Sequence, residues 1–172
     1  MHRLKYSLLQ ENLVTLYNSL IVPYLKYCNI IWATNAKQSE LLQLLKVQKK
    51  CLRIVTHSHY LAPSAPIFYE LSLLNIFDIN KLEMGIFMYK FKNNLLPEPF
   101  VNLFQYNSQI HNYNTRSVNK FHLWLVKSQL DVQSITHTGP QTWNLIPNKI
   151  TEAPFLSTFK RQYKQLLLQH YN

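Results

Sequence analysis

Two glycines, Gly85 and Gly139, serve the whole 172-residue chain. A β-rich fold of this length draws on glycine at its turns and bulges, so this scarcity, beside long Leu-rich stretches of helical period, directs the chain to helices. With 47% hydrophobic residues it can bury a core and does not have the composition of a disordered protein. Its length suits one domain, or one compact domain with an appendage.

The apolar spacing predicts the elements. Ser7 and Gln10 have a capping-box spacing. Leu9, Leu13, Leu16, Tyr17, Leu20 and Tyr24 then recur at helical steps, with Pro23 expected to kink or interrupt the helix. Asn35 is the expected cap of a second helix running to about His57. A third, short helix is expected to open at Pro63 and Pro66. Asp78 is the expected cap of a fourth, whose residues 79–91 are apolar on most sides, the mark of a central helix. Residues 105–120 are polar and Asn-rich and read as an extended loop. Residues 122–126 and 132–136 read as a short β-hairpin, and Gly139-Pro140 as a turn that positions Trp143. A last helix is expected over residues 155–170, with Lys160, Arg161 and Lys164 facing out. The expected class is therefore mainly α, a helical bundle with a C-terminal extension carrying the hairpin. Three segments follow: a bundle at 7–104, the polar loop at 105–120 and a C-terminal segment at 121–172.

Charge narrows the partners. The chain carries 18 Lys and Arg against 8 Asp and Glu, a net +10. Such an excess calls for an anionic partner, nucleic acid first and a membrane surface second. The most apolar stretch, around residues 20–32, contains Pro23 and Lys26 and is too short to span a bilayer. No signal-peptide core follows Met1, and Cys28 and Cys51 are the only cysteines. An intracellular protein, nuclear or cytoplasmic, in a reducing compartment is expected, with no membrane partner.

The clearest candidate surface is on the second helix. There Lys46, Lys49, Lys50 and Arg53 fall on one side, and Leu44, Leu45, Cys51, Leu52 and Val55 on the other. Cations on one face with an apolar face behind can follow a phosphate backbone while the helix stays docked. A solvated helix face is the alternative, although the acids usual on such faces are not interspersed here. Lys160, Arg161 and Lys164 form a smaller cluster with the same two readings. In residues 111–116, Tyr113 can stack on a base and Arg116 can hold a phosphate; equally, Tyr113 can pin the loop to the bundle. Trp32, Trp124 and Trp143 read as core or junction anchors, with base stacking as the alternative. Cys28, Cys51, His57 and His59 lack any Cys-x-x-Cys or finger-like spacing, so no metal site is expected. No glycine-rich phosphate loop is present.

Four ordered stretches carry a resemblance. They are Leu16-Tyr17-Asn18-Ser19-Leu20-Ile21-Val22-Pro23 with Tyr27-Cys28 and Ile31-Trp32; Val47-Gln48-Lys49-Lys50 with Arg53-Ile54-Val55; His111-Asn112-Tyr113-Asn114-Thr115-Arg116; and Gly139-Pro140-Gln141-Thr142-Trp143-Asn144 with Ile146-Pro147. Together they resemble the region downstream of the polymerase core in Jockey-like and chicken-repeat-like LINE (non-LTR) retrotransposon reverse transcriptases. The resemblance covers nearly the whole chain, with Ala33 where the family often has Gly. It implies a thumb at residues 7–104, packed on a template–primer duplex, followed by a C-terminal segment. It also implies RNA or DNA template–primer and the palm and fingers of the polymerase as partners.

Reverse transcriptases hold two Mg²⁺ ions on a Tyr/Phe-x-Asp-Asp turn and a third aspartate. This chain has only Asp78 and Asp131, far apart. The expectation is thus a fragment that binds nucleic acid without polymerising, needing no cofactor of its own because the Mg²⁺ would belong to the palm. Two other readings stay open: a free-standing basic helical RNA-binding protein, and a scaffold whose apolar faces meet another chain.

Overall fold

A computed structural model describes residues 6–111 and 116–171, leaving out the side chains of Gln129 and Leu130. The chain is mainly helical. In order come α1 (Gln10–Leu20), α2 (Val22–Lys26), α3 (Asn29–Asn35), α4 (Gln38–Val55), α5 (Ser64–Glu70) and α6 (Ile76–Lys92). They are followed by α7 (Asn107–Ile110), α8 (Gln129–Gln133), α9 (Ile135–Asn144), α10 (Asn148–Thr151) and α11 (Leu156–Leu168). No helix among the described residues is long and apolar enough to cross a membrane.

Two compact units form, and they do not follow the linear boundaries at 104 and 120. The first takes residues 1–29, 36–80 and 164–172; the second takes 30–35 and 81–163. In the first, Leu13 and Tyr17 of α1, Leu52 and Val55 of α4, and Ile67 and Phe68 of α5 make the core. The chain's end belongs to it: Tyr171 stacks on Phe68 with centroids 5.5 Å apart, accepts the Asn75 N–H at 3.0 Å, and donates to the Asp78 carboxylate. Burial first, then the Asp78 bond, drives the Tyr171 phenol far above its ordinary pKa.

The second unit has an aromatic core. Phe91 meets Phe104 edge-on at 4.8 Å, Tyr89 stacks on Phe159 at 4.8 Å, and Phe159 stacks on Trp143 at 5.7 Å. Both glycines lie here, and neither has a positive φ. They permit close approach instead. A Cβ on Gly85 would come within 2.6 Å of the Tyr163 ring, and one on Gly139 within 2.9 Å of the Met88 sulfur.

Several expected details differ. The first helix starts at Gln10 with Leu9 as its cap and no side-chain bond, so Ser7 lies outside it. The interruption expected at Pro23 does occur, with the break at Ile21: Pro23 sits in the first turn of a new helix, where its missing N–H is harmless. Asn35 closes α3, donating to Ile31 O at 2.7 Å; the start of α4 is tied by Glu40, which accepts the Lys37 N–H at 3.2 Å. Asn75 caps α6 by accepting the Asp78 N–H at 3.0 Å, so Asp78 sits in the first turn. The buried residues of α6, among them Ile76, Ile79, Leu82, Met84, Ile86, Met88 and Tyr89, cover most of its circumference, as a central helix requires.

The expected hairpin does not form. Among the described residues the β pairing is an isolated bridge between Tyr106 and Phe121. Ser128 and Ser134 win over strand propensity by capping α8 and α9 with their hydroxyls. Gly139-Pro140 is no turn either; both lie buried inside α9, where Gly139 allows the helix to approach Met88 and Phe104. The Asn-rich stretch holds α7 and is closed by backbone bonds from Asn107 N to Lys120 O (3.0 Å) and from His122 N to Gln105 O (2.8 Å).

Three helices end in Schellman motifs built without glycine. His57, Ser72 and Asn94 take φ of 53°, 51° and 54° at the ends of α4, α5 and α6. The following N–H closes each motif: Ser58 to Arg53 O, Leu73 to Phe68 O and Leu95 to Lys90 O. A left-handed L-residue costs roughly 1–2 kcal/mol, less for Asn, and glycine removes most of that while adding unfolded-chain entropy. His57→Gly and Ser72→Gly should each therefore raise unfolding free energy by about 0.5–1 kcal/mol in urea titration, and Asn94→Gly by less.

Candidate nucleic-acid interface

The spacing of α4 sets the candidate surface. Leu52 and Val55 are fully buried, and Leu41, Leu44, Leu45 and Cys51 are half-buried along the same side. Among these apolar positions sits one amide, Gln48, only 3% exposed. It donates to Tyr17 Oη and to Leu74 O, both at 2.9 Å, and accepts the Ile76 N–H at 3.0 Å. The reverse amide orientation would set its oxygen against the Leu74 carbonyl. One side chain thus ties α1, α4 and the start of α6, and the Gln48 of the second ordered motif is structural. Burial pushes the Tyr17 phenol up to about 12, opposed in part by its bond from Gln48.

With that side fixed, the basic side divides into two rows. Lys46 and Lys50, one turn apart, are exposed; Lys49 and Arg53 are half-buried on the flank. Arg53 Nε donates to Ala62 O at 2.8 Å, so this guanidinium also holds the loop after α4. The three lysine ammoniums form the adaptable part of the stripe.

Lys160 and Arg161 are exposed on α11, whereas Lys164 is half-buried. Burial, and then the charge of Lys26, holds the Lys164 ammonium below its usual pKa. The expected trio is not one uniform cluster. Arg116 is exposed in a turn; Tyr113 lies outside the described residues.

Trp143 is a core residue, 7% exposed, and Asn144 beside it grips Phe121 on both sides, accepting its N–H at 3.1 Å and donating to its carbonyl at 2.8 Å. The fourth motif is thereby explained by packing: Gly139 for close approach, Trp143 for the aromatic core, Asn144 for the backbone clamp. Trp124 departs from the expected anchor role, since it is 55% exposed. The two aspartates serve helix starts: Asp78 pairs with Asn75, and Asp131 accepts from the Ser128 hydroxyl at 2.8 Å.

Sequence reasoning missed a cleft of about 150 Å³ in the second unit, where Lys92, Lys120, Asn119, Asn148 and Glu152 meet beside Trp143. Lys92 Nζ donates to Thr151 O at 3.1 Å and lies 6.0 Å from the centroid of the Trp143 ring. Nothing in the linear sequence juxtaposes Lys92 with Lys120. Among the described residues no three His, Cys, Asp or Glu side chains converge.

Because Gln48 orients the stripe, its loss should be read in stability. Gln48→Leu strands a phenol, a carbonyl and an N–H in the core and should lower unfolding free energy by about 2–4 kcal/mol in denaturant titration. A neutral result would remove the amide from its structural role.

No family model matches the chain, and no curated protein or solved structure matches it.

Proposed function

We propose that this chain is a non-catalytic thumb and post-thumb region of a LINE-type reverse transcriptase that holds template–primer nucleic acid on the basic side of α4. One observation carries the reading: an amphipathic helix whose apolar side is locked in a core presents Lys46 and Lys50 to solvent, with Lys49 on their flank. Ammonium groups on such a rigid support neutralise phosphates and release counterions, giving affinity without base readout. That suits a polymerase thumb, which must hold any sequence as it slides. The net charge of +10 and the ordered motifs support the same reading. In it, the metal-dependent chemistry lies on a palm outside this region, and this chain supplies grip.

Exposed apolar side chains add support. Leu20, Tyr24 and Tyr27, in and after the first helices, are 59%, 82% and 78% exposed. Large apolar groups left in water at this density mark surfaces that another protein part covers. In this reading the palm of the polymerase is that part.

The test is the salt dependence of binding to an RNA–DNA duplex, measured by fluorescence anisotropy. Changing Lys46, Lys49 and Lys50 together to Gln should reduce the log–log slope by roughly two to three units. Arg53 stays, because its bond to Ala62 would confound stability with binding. An unchanged slope with an unchanged melting temperature rejects α4 as the contact surface.

A further inference from the structure

We propose that the irregular segment from Phe121 to Ser128 in the second unit is a stacking platform for single-stranded nucleic acid, with the Trp124 indole receiving an unpaired base. The inference rests on the nucleic-acid reading above and adds a second binding element, one that selects strands with free bases.

Exposure comes first. Leu123, Trp124 and Leu125 are 43%, 55% and 97% exposed in a stretch outside helix and strand. The same unit buries Trp143 to 7%, so it has the means to cover an indole and leaves this one out. A lone exposed leucine is ordinary, but an exposed tryptophan between two exposed leucines is a presented apolar surface.

The segment is also held in place. Asn144 clamps the Phe121 backbone from both sides, and His122 N donates to Gln105 O at 2.8 Å. The His122 ring shares a 2.9 Å hydrogen bond between Nδ1 and Asn107 Oδ1. From this fixed ring the aromatic series runs outward: His122 meets Trp124 at 4.6 Å and 78°, and His111 meets His122 at 5.9 Å and 68°. A near-perpendicular neighbour occupies at most one face of the indole. With 55% of the residue exposed, the indole keeps surface open to a flat ring, and its ring contact with His122 lowers the ordering penalty on binding.

Charge chooses the occupant. Between Glu98 and Asp131 the sequence holds no acid, while Arg116, Lys120 and Lys127 are all exposed; Lys120 shares the cleft beside Trp143 with Glu152, so Arg116 and Lys127 carry most of this argument. Cations on either side of an aromatic residue along the chain suit phosphates on either side of a stacked base. An apolar peptide would gain nothing from those cations. A duplex keeps its bases stacked on each other and offers no free face to the indole.

The experiment uses the full chain and anisotropy with two probes, a mixed-sequence single-stranded RNA oligonucleotide and a perfect duplex. Trp124→Ala should weaken single-strand affinity by about fivefold or more. Duplex affinity and melting temperature should stay at wild-type values, and Trp124→Phe, which keeps a ring, should recover most of the loss. If the wild-type chain binds both probes and Trp124→Ala leaves single-strand affinity unchanged, the platform is overturned and the α4 reading stands. If the wild-type chain binds neither probe at low salt, both fall together. Self-association that Trp124→Ala abolishes, with single-strand affinity untouched, assigns the segment to a protein contact and also overturns the platform.

Discussion

The Gln48 amide is a polar group placed where helical period calls for an apolar one. Its three hydrogen bonds use Tyr17, Leu74 and Ile76, drawn from before and after α4 in sequence. A buried amide is tolerable only when its donors and acceptor are matched, and each partner here would otherwise be an orphan in the core. That requirement fixes the rotation of α4 about its own axis. Leucine packing alone tolerates some rolling of a helix, whereas a three-way hydrogen-bond set does not. The rotation in turn decides that Lys46 and Lys50 face water. The basic surface is thus a consequence of one satisfied polar group on the opposite side of the helix.

The second unit is governed by closeness instead. Its core is a run of aromatic rings, and large flat groups pack densely only where something gives way. Gly85 beneath the Tyr163 ring and Gly139 against Met88 and Phe104 are where the backbone gives way. With both glycines spent on close approach, the left-handed positions fall to Cys28, His57, Ser72 and Asn94. Helix ends elsewhere in this chain therefore carry a modest strain that a glycine-richer sequence would avoid.

Much of the helical layout was legible because it follows from period. The apolar spacing of α4 and the all-round apolarity of α6 both depend on neighbours close in sequence. The errors arose where two local signals competed or where the deciding partner was distant. Residues 122–126 alternate like a strand, yet Ser128 and Ser134 cap helices just beyond, which removes the second strand. Gly139-Pro140 looks like a turn until Met88 and Phe104 are seen to need a bare backbone there. The Lys46–Arg53 stripe was visible from helical pitch, but the tether of Arg53 to Ala62 was not. Trp124 reads as an anchor by residue type alone; only the fold reveals which of the three tryptophans the core leaves out. The Lys92–Lys120 cleft needed tertiary structure altogether.

The central claim is that nucleic acid lies on the lysine side of α4. Lysine acetylation followed by mass spectrometry, on the full chain free and saturated with an RNA–DNA duplex, tests this site by site. The account predicts that Lys46 and Lys50 lose reactivity strongly on binding, with Lys49 following. Lys37, exposed at the cap position just before Gln38 and outside the stripe, should keep its reactivity. Protection elsewhere in the chain, with Lys46 and Lys50 as reactive in the complex as in the free protein, would contradict it.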